Sequence, residues 1–303
     1  MPTILLTGAT GFIGRHCVEP LRQRGWDVIA VTSGDISPMP EAEGVSWEQA
    51  DLLAPGEAAR LVKRTSPESL LHLAWKLAAG STDNYHWTRA SLELLLAFAE
   101  AGGRRAVLAG SCAEYDWMGP QPLAEGSSRR PATNYGLCKN ALGELVESFR
   151  LETGLSAAWA RLFFLYGPGE APGRLVASVV RSLLAGEEAK TSHGAQLRDY
   201  LYVEDAADAL AALVSSEVEG PINVAAGASI RLKQLISRAA SQLDAEGLVR
   251  LGAIEAHPEE APEVSAEVDR LRSELVWQPR FSHSEGMART IEWWRAKMEE
   301  TDS

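Results

Sequence analysis

A glycine-rich turn directly after the first apolar run constrains the fold of this chain more than any other feature. The run Thr3–Thr7 leads into three evenly spaced glycines, and a helical stretch begins at the last of them. There Gly8 permits a tight turn, Gly11 lets a pyrophosphate approach the backbone, and Gly14 lets helix and strand pack closely. The start of the helix also offers free amides and the positive end of the helix dipole to a phosphate. The pattern therefore predicts a dinucleotide site. A glycine turn without a ligand is the alternative. The expected contacts are Gly8, Thr10, Gly11, Phe12, Ile13 and Gly14.

Strand-like apolar runs and helical stretches alternate through the first half of the chain. Continuous apolar runs such as Val28–Thr32 and Leu70–Ala74 are typical of strands that are covered on both faces. We therefore expect an α/β fold with a Rossmann-type, doubly wound parallel sheet, followed by a smaller α/β C-terminal lobe for the substrate. The expected division is residues 1–165 for the dinucleotide-binding domain, with 200–227 packing back onto it, and 166–199 with 228–303 for the smaller lobe.

Bulk composition argues against several classes of function. The 303-residue chain has a formal net charge of −12, which argues against a nucleic-acid-binding surface. No apolar run reaches the roughly 20 residues needed to span a bilayer, so we expect no membrane partner. The three cysteines, at positions 17, 112 and 138, show neither metal-type nor disulfide spacing. We expect a cytoplasmic protein with reduced thiols and no bound metal.

A tyrosine and a lysine four residues apart open a predicted helix over about residues 134–153, so Tyr135 and Lys139 share one helix face. A free tyrosine has a pKa of about 10, too high for efficient proton transfer at neutral pH, and an adjacent ammonium group lowers it. Ser111 follows the fifth predicted strand, where its hydroxyl can polarise a substrate carbonyl. We predict that Tyr135 is the acid/base, that Lys139 tunes it and holds the nicotinamide ribose, and that Ser111 holds the carbonyl oxygen.

Several segments in combination resemble the extended short-chain dehydrogenase/reductases of the NAD-dependent epimerase/dehydratase family. The resemblance covers roughly residues 3–230. It implies a nucleotide-sugar substrate and a homodimer formed through the helices near 84–101 and 134–153. The segments that carry it are the glycine turn, His72–Ala74, Arg129–Lys139, Arg161–Pro168, Arg198–Asp205 and Pro221–Gly227.

The residues after the second predicted strand bear on the choice between NAD and NADP. An acid there holds the ribose hydroxyls of NAD, whereas an arginine accommodates the 2′-phosphate of NADP. Here Thr32 and Ser33 take that place, so no acid repels a 2′-phosphate. Because Ser33 and Arg15 could bind one, NADP(H) is favoured over NAD(H), although Arg15 could equally be an exposed helix residue.

Two further pairs of residues would contact the cofactor according to the resemblance. Asp51 and Leu52, after the third predicted strand, match the adenine contact of the family, with helix capping by Asp51 as the alternative. Leu73 and Ala74, after the fourth predicted strand, would lie beside the dinucleotide.

Arg198 is the expected contact for the phosphates of the substrate. A guanidinium fork suits phosphate oxygens, and the resemblance implies that this residue clamps a diphosphate. An ion pair with Asp199 or Asp205 is the alternative.

Five other residues are expected to meet the substrate. Trp75, Lys76 and Glu114 would face the cleft at the carboxyl ends of the fourth and fifth strands. The alternatives are a wall or core position for Trp75, a solvated position for Lys76 and a structural role for Glu114. Cys112 and Phe164 would complete the substrate site.

Departures from the family pattern narrow the expected reaction. The 4,6-dehydratases carry an Asp-Glu pair directly after the catalytic hydroxyl, whereas this chain has Cys112 and Ala113, which argues against dehydration. Trp75 stands where the family has an alanine, and Phe164 and Trp87 stand about where it has asparagines.

The run from Ser111 to Tyr115 is closest to the nucleotide-4-keto-6-deoxy-sugar reductases. The expected function is therefore reduction of a nucleotide-linked 4-keto-6-deoxy sugar with NADP(H). A 4-epimerase with tightly bound NAD, a reductase of a non-sugar ketone and a non-catalytic NADPH sensor are the alternatives.

Overall fold

The computed structural model describes residues 1–76, 81–256 and 260–302. Its strands are β1 (Thr3–Thr7), β2 (Asp27–Thr32), β3 (Val45–Gln49), β4 (Ser69–His72), β5 (Arg105–Ser111), β6 (Ser156–Leu162), β7 (Phe164–Tyr166), β8 (Ala189–Thr191), β9 (Leu197–Arg198), β10 (Tyr200–Tyr202), β11 (Gly220–Val224), β12 (Ile230–Arg231), β13 (Val249–Leu251) and β14 (Glu263–Val264). Its α-helices are α1 (Gly14–Gln23), α2 (Glu57–Thr65), α3 (Asp83–Glu100), α4 (Asn134–Thr153), α5 (Leu175–Leu184), α6 (Val203–Val214), α7 (Leu232–Gln242), α8 (Asp269–Ser273) and α9 (His283–Asp302). Short 3₁₀ helices span Cys112–Glu114 and Glu246–Leu248.

The central sheet of the described chain has seven parallel strands in the order β11-β6-β5-β4-β1-β2-β3. β1 pairs with β2 on one side and with β4 on the other. The strand order therefore reverses at β1, and the carboxyl ends of the strands on either side open a crevice. Ligands bind at this switch point in open α/β sheets.

The two faces of the sheet are covered by different helices. Ile4 and Leu6 belong to an apolar cluster with α1 and α6, whereas Leu5 belongs to a cluster with α2, α3 and α4. All three side chains are fully buried. Because both faces need apolar residues, the strands are continuous apolar runs, as the sequence indicated. The Rossmann-type doubly wound fold is confirmed.

A third apolar cluster forms the smaller lobe, from α5, α7 and α9 with β8 and β10. Between these elements the chain returns to the large sheet, where α6 packs on α1 and β11 pairs with β6. Val264, Leu271 and Trp277 also pack into the cluster that contains α1 and α6. Part of the segment 228–303 that we expected in the smaller lobe therefore lies against the Rossmann sheet, because its apolar side chains are buried there.

No helix within the described ranges is long and apolar enough to cross a bilayer. The same residues contain no group of three or more His, Cys, Asp or Glu side chains that could hold a metal ion. Each of the three cysteines is a buried free thiol.

Candidate active site

The glycine turn packs directly against the chain that leaves β4. Gly8 has a φ of +71°, and a Cβ built on it would lie 2.8 Å from the Ala74 nitrogen. A Cβ on Gly14 would lie 2.1 Å from the Gly8 carbonyl oxygen, so only glycine fits at the start of α1. Among the hydrogen bonds of the described residues, none is donated by the amides of Phe12 or Ile13. The turn therefore offers unpaired amides at a helix N-terminus, which fits the pyrophosphate of a dinucleotide.

The Arg15 guanidinium is held by the glycine turn itself. Its Nη2 and Nε donate to the carbonyl oxygens of Thr10 and Gly11 at 2.8 and 3.1 Å, and it lies against Gly169. None of the contacts that the structure gives this side chain is with the end of β2. The predicted 2′-phosphate contact of Arg15 therefore has no support in its geometry.

The end of β2 carries two hydroxyls and, a little further on, an acid. Thr32 is buried with its Oγ1 3.2 Å from that of Thr10, whereas Ser33 is exposed. The exposed carboxylate of Asp35 accepts hydrogen bonds from the amide and hydroxyl of Ser37, and these hold its pKa below the usual value. This acid lies three residues beyond the strand, outside the positions where an acid was expected.

The other expected cofactor contacts follow β3 and β4. Asp51 is exposed and its Oδ1 accepts the amide two residues on at 3.0 Å, so it caps a turn rather than a helix, and Leu52 is buried. The amides of Leu73 and Ala74 both donate to the Thr7 hydroxyl, at 3.2 and 3.3 Å. These contacts fix the loop that lies against the glycine turn.

The two predicted catalytic hydroxyls meet at the carboxyl end of β5. Ser111 is the last residue of β5, and Tyr135 lies in the first turn of α4, which is capped by the Thr133 side chain. Burial raises the pKa of Tyr135 to about 12, although its hydrogen bond with Ser111 acts in the opposite direction. The phenol is therefore protonated at neutral pH, as a general acid must be.

Lys139 lies one helical turn further along α4 and is also buried. Its Nζ donates to the Ala109 carbonyl oxygen at 2.8 Å and lies 3.8 Å from the centre of the Trp75 ring. Burial lowers the pKa of Lys139 to about 7, against the charge of Glu114, which raises it. The ammonium and amine forms are therefore both populated near neutral pH.

Glu114 does not face the cleft, and our prediction of a substrate contact for it is corrected. The residue is fully buried. Its carboxylate accepts hydrogen bonds from Arg161 Nε at 2.7 Å, Trp159 Nε1 at 3.0 Å and the Ser111 amide at 2.7 Å. With both oxygen atoms occupied, Glu114 fixes the segment after β5 behind the catalytic serine.

Arg198 is paired with an acid that the sequence analysis did not single out. Its Nη2 lies 2.9 Å from Glu260 Oε1, and its guanidinium lies 5.6 Å from the centre of the Phe164 ring. The expected alternatives, Asp199 and Asp205, bind backbone amides instead. Arg198 therefore has a carboxylate partner and an aromatic partner, and only 3% of its surface is exposed.

The remaining expected substrate contacts differ in their surroundings. Phe164 is half-buried and packs between the rings of Trp117 and Tyr200, with centres 5.9 and 5.5 Å away. Burial raises the pKa of the Cys112 thiol to about 12, so this side chain is neutral. Lys76 is exposed.

Two asparagines beside the site were missed from the sequence. Trp75 Nε1 donates to Asn84 Oδ1 at 3.0 Å, and Asn84 Nδ2 donates to Asn134 Oδ1 at 3.0 Å. Asn134 directly precedes Tyr135, and that position was the one signal available. The pairing itself joins residues 50 apart, which no local spacing reveals.

The model of the NAD dependent epimerase/dehydratase family matches residues 4–225 of the chain. The chain belongs to this family. The match includes the glycine turn and the segments of Ser111, Tyr135 and Lys139, and it confirms the resemblance stated from the sequence. The protein is accordingly an NAD-dependent enzyme of the extended short-chain dehydrogenase/reductase type.

Relatives of this epimerase/dehydratase family member catalyse several reactions. dTDP-6-deoxy-L-talose 4-dehydrogenase (NAD(+)) of Aggregatibacter actinomycetemcomitans is 26% identical, over 74% of this chain and 84% of its own. UDP-glucose 4-epimerase of Azospirillum brasilense is 25% identical, over 99% of this chain and 94% of its own. The structure of MoeE5 in complex with UDP-glucuronic acid and NAD is 28% identical, with a TM-score of 0.84 over 98% of this chain and 100% of its own.

Proposed function

We propose that this protein reduces the ketone of a nucleotide-linked 4-keto-6-deoxy sugar with a nicotinamide dinucleotide. The observation that carries the proposal is that Ser111 ends β5 while Tyr135 lies in the first turn of α4, which Lys139 ties to the Ala109 carbonyl of the same strand. Both hydroxyls lie at the carboxyl end of β5, beside the glycine turn that fits the pyrophosphate. A ketone oxygen placed between them would meet two hydrogen-bond donors.

Each of the three residues then has one role in the reaction. A reduced nicotinamide bound at the glycine turn would supply the hydride to the ketone carbon. Tyr135 gives its proton to the developing alkoxide, and the Ser111 hydroxyl donates a hydrogen bond to the same oxygen. The Lys139 ammonium group stabilises the phenolate that forms when Tyr135 gives up its proton, because a nearby positive charge favours the ionised form.

The substrate class is supported by a relative and by the residues after Ser111. The relative from Aggregatibacter actinomycetemcomitans is named for dehydrogenation at C4 of a 6-deoxy-sugar nucleotide, and the reverse of that reaction is the proposed reduction. Cys112 is neutral and Ala113 has no ionisable group, so this chain lacks an acid and a base there for removing water.

For the nucleotide half of the substrate, we propose that Arg198 binds the diphosphate. Its Nη1 donates to the Leu197 carbonyl and its Nη2 to Glu260. A guanidinium has five N–H donors, so further donors are available for phosphate oxygens. MoeE5, which is 28% identical, binds a nucleotide-sugar according to its structure.

For the cofactor, we propose NAD(H) rather than the NADP(H) that the sequence favoured. Arg15 is engaged by the glycine turn, and the Asp35 carboxylate adds a negative charge after β2 that disfavours a 2′-phosphate. The relative with 26% identity is named for NAD(+). Comparing kcat/KM for NADH and NADPH with one keto-sugar tests this choice, and a preference for NADPH would contradict it.

The second candidate function is a nucleotide-sugar 4-epimerase. It is favoured by the relative from Azospirillum brasilense, which aligns over 99% of this chain. An epimerase would keep its NAD through purification and need no external reductant. Protein purified without added cofactor and then denatured should release no NAD if the reductase proposal is right.

A panel of nucleotide-linked 4-keto-6-deoxy sugars, incubated with the purified protein and NADH or NADPH, tests the proposal. Oxidation of the reduced cofactor that depends on a nucleotide keto-sugar supports it. Interconversion of C4 epimers without consumption of cofactor would contradict the reductase and support the epimerase. Turnover of simple ketones alone would indicate a non-sugar reductase, and binding of NADPH without any turnover would indicate a sensor.

We also propose that the protein forms a homodimer through α3 and α4, which pack side by side. Their exposed apolar residues form one candidate surface. These residues are Tyr85, Leu96, Leu137, Leu145 and Leu151. Sedimentation should give the mass of two chains, and Leu137→Glu with Leu145→Glu should give one, whereas an unchanged mass would contradict this interface.

A further inference from the structure

Trp75 joins the two residues of the Tyr-x-x-x-Lys pair. The face of its indole lies 3.8 Å from Lys139 Nζ. The same side chain meets the Tyr135 ring edge-on, with the ring centres 6.2 Å apart and the planes at 80°. A single residue from the chain that leaves β4 therefore contacts both members of the pair on α4.

The indole is itself held from its far side. Its Nε1 donates to Asn84 Oδ1 at 3.0 Å, and the Trp87 ring stacks on it with centres 6.4 Å apart. Asn84 donates in turn to Asn134 at the start of α4. Because α3 supplies both contacts and its Asn84 is tied to α4, the indole has a defined orientation at Lys139.

The indole face supplies the attraction that a carboxylate would otherwise give to Lys139. A cation over an aromatic face is attracted by the ring quadrupole, most strongly with tryptophan. The carboxylate of Glu114 is paired with Arg161 at 2.7 Å, and burial lowers the pKa of His72 to about 3, so His72 is neutral. Nζ contacts the Ala109 carbonyl and the Trp75 indole, whereas the other ring over it, that of Trp159, has its centre 5.9 Å away. The titratable groups that interact with the Lys139 charge are Glu114 and His72; Arg161 is paired with Glu114 Oε2, and Tyr135 packs on the same indole.

We propose that Trp75 is a positioning residue for the reaction: its indole face holds the Lys139 ammonium group at the carbonyl of β5, and its edge orients the Tyr135 ring. This role rests on the proposed function, because it matters where Tyr135 and Lys139 handle a proton. It differs from the role of a sugar-stacking wall, which would affect binding of the substrate and leave proton transfer unchanged.

Titration of the lysines tests the contact without any substrate. The chain has six lysines, of which Lys139 alone is buried, so in protein labelled with [13Cε]lysine its signal can be followed separately and should titrate near neutral pH. Tetrafluorotryptophan at position 75 keeps nearly the same ring shape and weakens its negative face. We expect the midpoint of Lys139 to fall by about one pH unit, the size of a buried cation–π contact. An unchanged or higher midpoint would overturn the proposal.

Trp87 provides the matched control for this titration. It stacks on Trp75, but its ring is not among the rings of the described residues that lie over Lys139. The same fluorinated residue at position 87 should leave the Lys139 midpoint in place. An equal fall at both positions would mean that fluorination acts through general packing, and the proposal would fail.

Steady-state kinetics distinguishes a positioning role of Trp75, which affects kcat, from a role as a wall of the sugar site, which affects KM. Trp75→Leu should lower kcat about tenfold with little change in KM, as expected for loss of a contact to a buried cation. Trp75→Phe keeps an aromatic face and should recover most of kcat. A rise in KM alone, or equal losses of kcat in both variants, would contradict the proposal. If Trp75→Leu does not fold, the lysine titration of the protein with tetrafluorotryptophan at position 75 still tests the proposal.

The two measurements also separate this inference from the proposed function. If fluorination shifts Lys139 but no nucleotide keto-sugar is reduced, the contact is supported and the proposed reaction fails. If the sugar is reduced and Lys139 does not respond, the reaction stands and the role of Trp75 fails.

Discussion

The Lys139 ammonium nitrogen lies 2.8 Å from the carbonyl oxygen of Ala109, two residues before the serine that ends β5. This hydrogen bond ties the catalytic helix α4 to the strand that carries Ser111. Because the lysine is anchored at this carbonyl, the phenol, the hydroxyl and the ammonium group are held by one helix and one strand. The site is therefore organised by rigid elements before any ligand contact is considered.

Tyr135→Phe should abolish reduction of a nucleotide keto-sugar while leaving the fold and the binding of NADH unchanged. The variant loses only the phenolic hydroxyl and with it the acid, and a general acid contributes about 10²- to 10⁴-fold to the rate. We expect kcat to fall at least about 100-fold, measured by cofactor absorbance, with NADH affinity measured by fluorescence. Tyr85→Phe, at an exposed tyrosine of α3, is the control and should keep full activity. Equal activity in both variants would refute the acid role.

Lys139→Met should stabilise the protein more at pH 6 than at pH 9. Burial lowers the folded-state pKa of Lys139 to about 7 from the usual 10.5, so between these values the unfolded chain binds the extra proton. The wild type therefore gains stability from this group as pH rises from 7, with a slope of up to about 1.4 kcal/mol per pH unit. Below pH 7 Lys139 is charged in the folded protein, so its burial lowers the free energy of unfolding by the full amount that Lys139→Met would restore. Urea unfolding at both pH values measures the difference, and a pH-independent difference would contradict the assignment.

Glu114→Gln should destabilise the fold rather than weaken substrate binding. The change breaks a buried ion pair and leaves Arg161 without its carboxylate partner, which costs about 3–5 kcal/mol. Glu144→Gln is the matched control, because its pair with Arg129 is exposed and such pairs contribute at most about 1 kcal/mol. Urea unfolding distinguishes the two variants. A stable Glu114→Gln protein with a raised KM would restore the substrate role that the structure argues against.

Gly14→Ala should disrupt the dinucleotide site. The added Cβ would lie 2.1 Å from the Gly8 carbonyl oxygen, so the turn must move away from its place beside β4. Gly173→Ala is the control, since a Cβ there meets nothing within 4 Å. We expect NADH affinity to fall at least about tenfold in the first variant, in keeping with displaced phosphate-binding amides, and to stay unchanged in the second. Retained affinity in Gly14→Ala would show that the turn does not hold the cofactor.

The parts of the fold that the sequence predicts well are those encoded by local patterns. The glycine spacing defines the turn, the continuous apolar runs define buried strands, and Tyr135 and Lys139 share a face because they are four residues apart. Each of these features depends on neighbouring residues only.

The side-chain partners of the site could not be predicted in the same way. Glu114 was expected in the cleft, but it pairs with Arg161 47 residues later in the chain. The expected ion-pair alternatives for Arg198 were Asp199 and Asp205, but its carboxylate partner is Glu260, 62 residues away. Such pairs depend on how β5, β6 and the loops between lobes come together in space, and a charged residue in a motif does not reveal which way it points.

The orientation of Arg15 could not be predicted from the sequence for a related reason. Arg15 stands one residue beyond the last glycine of the turn, which suggested a phosphate contact. Its guanidinium instead folds back onto the carbonyl oxygens of Thr10 and Gly11. Orientation of a long, exposed side chain is decided by the acceptors within its reach, and these are known only from the folded chain.

The most direct test of the proposed reaction is the fate of the hydride. Purified protein is given NADH deuterated at the transferring position and a nucleotide-linked 4-keto-6-deoxy sugar, and the product is examined by mass spectrometry and NMR. We predict one deuterium at C4 of the sugar for each NADH consumed, and no such product with Tyr135→Phe. Sugar conversion without deuterium at C4, or without consumption of NADH, would contradict the reductase.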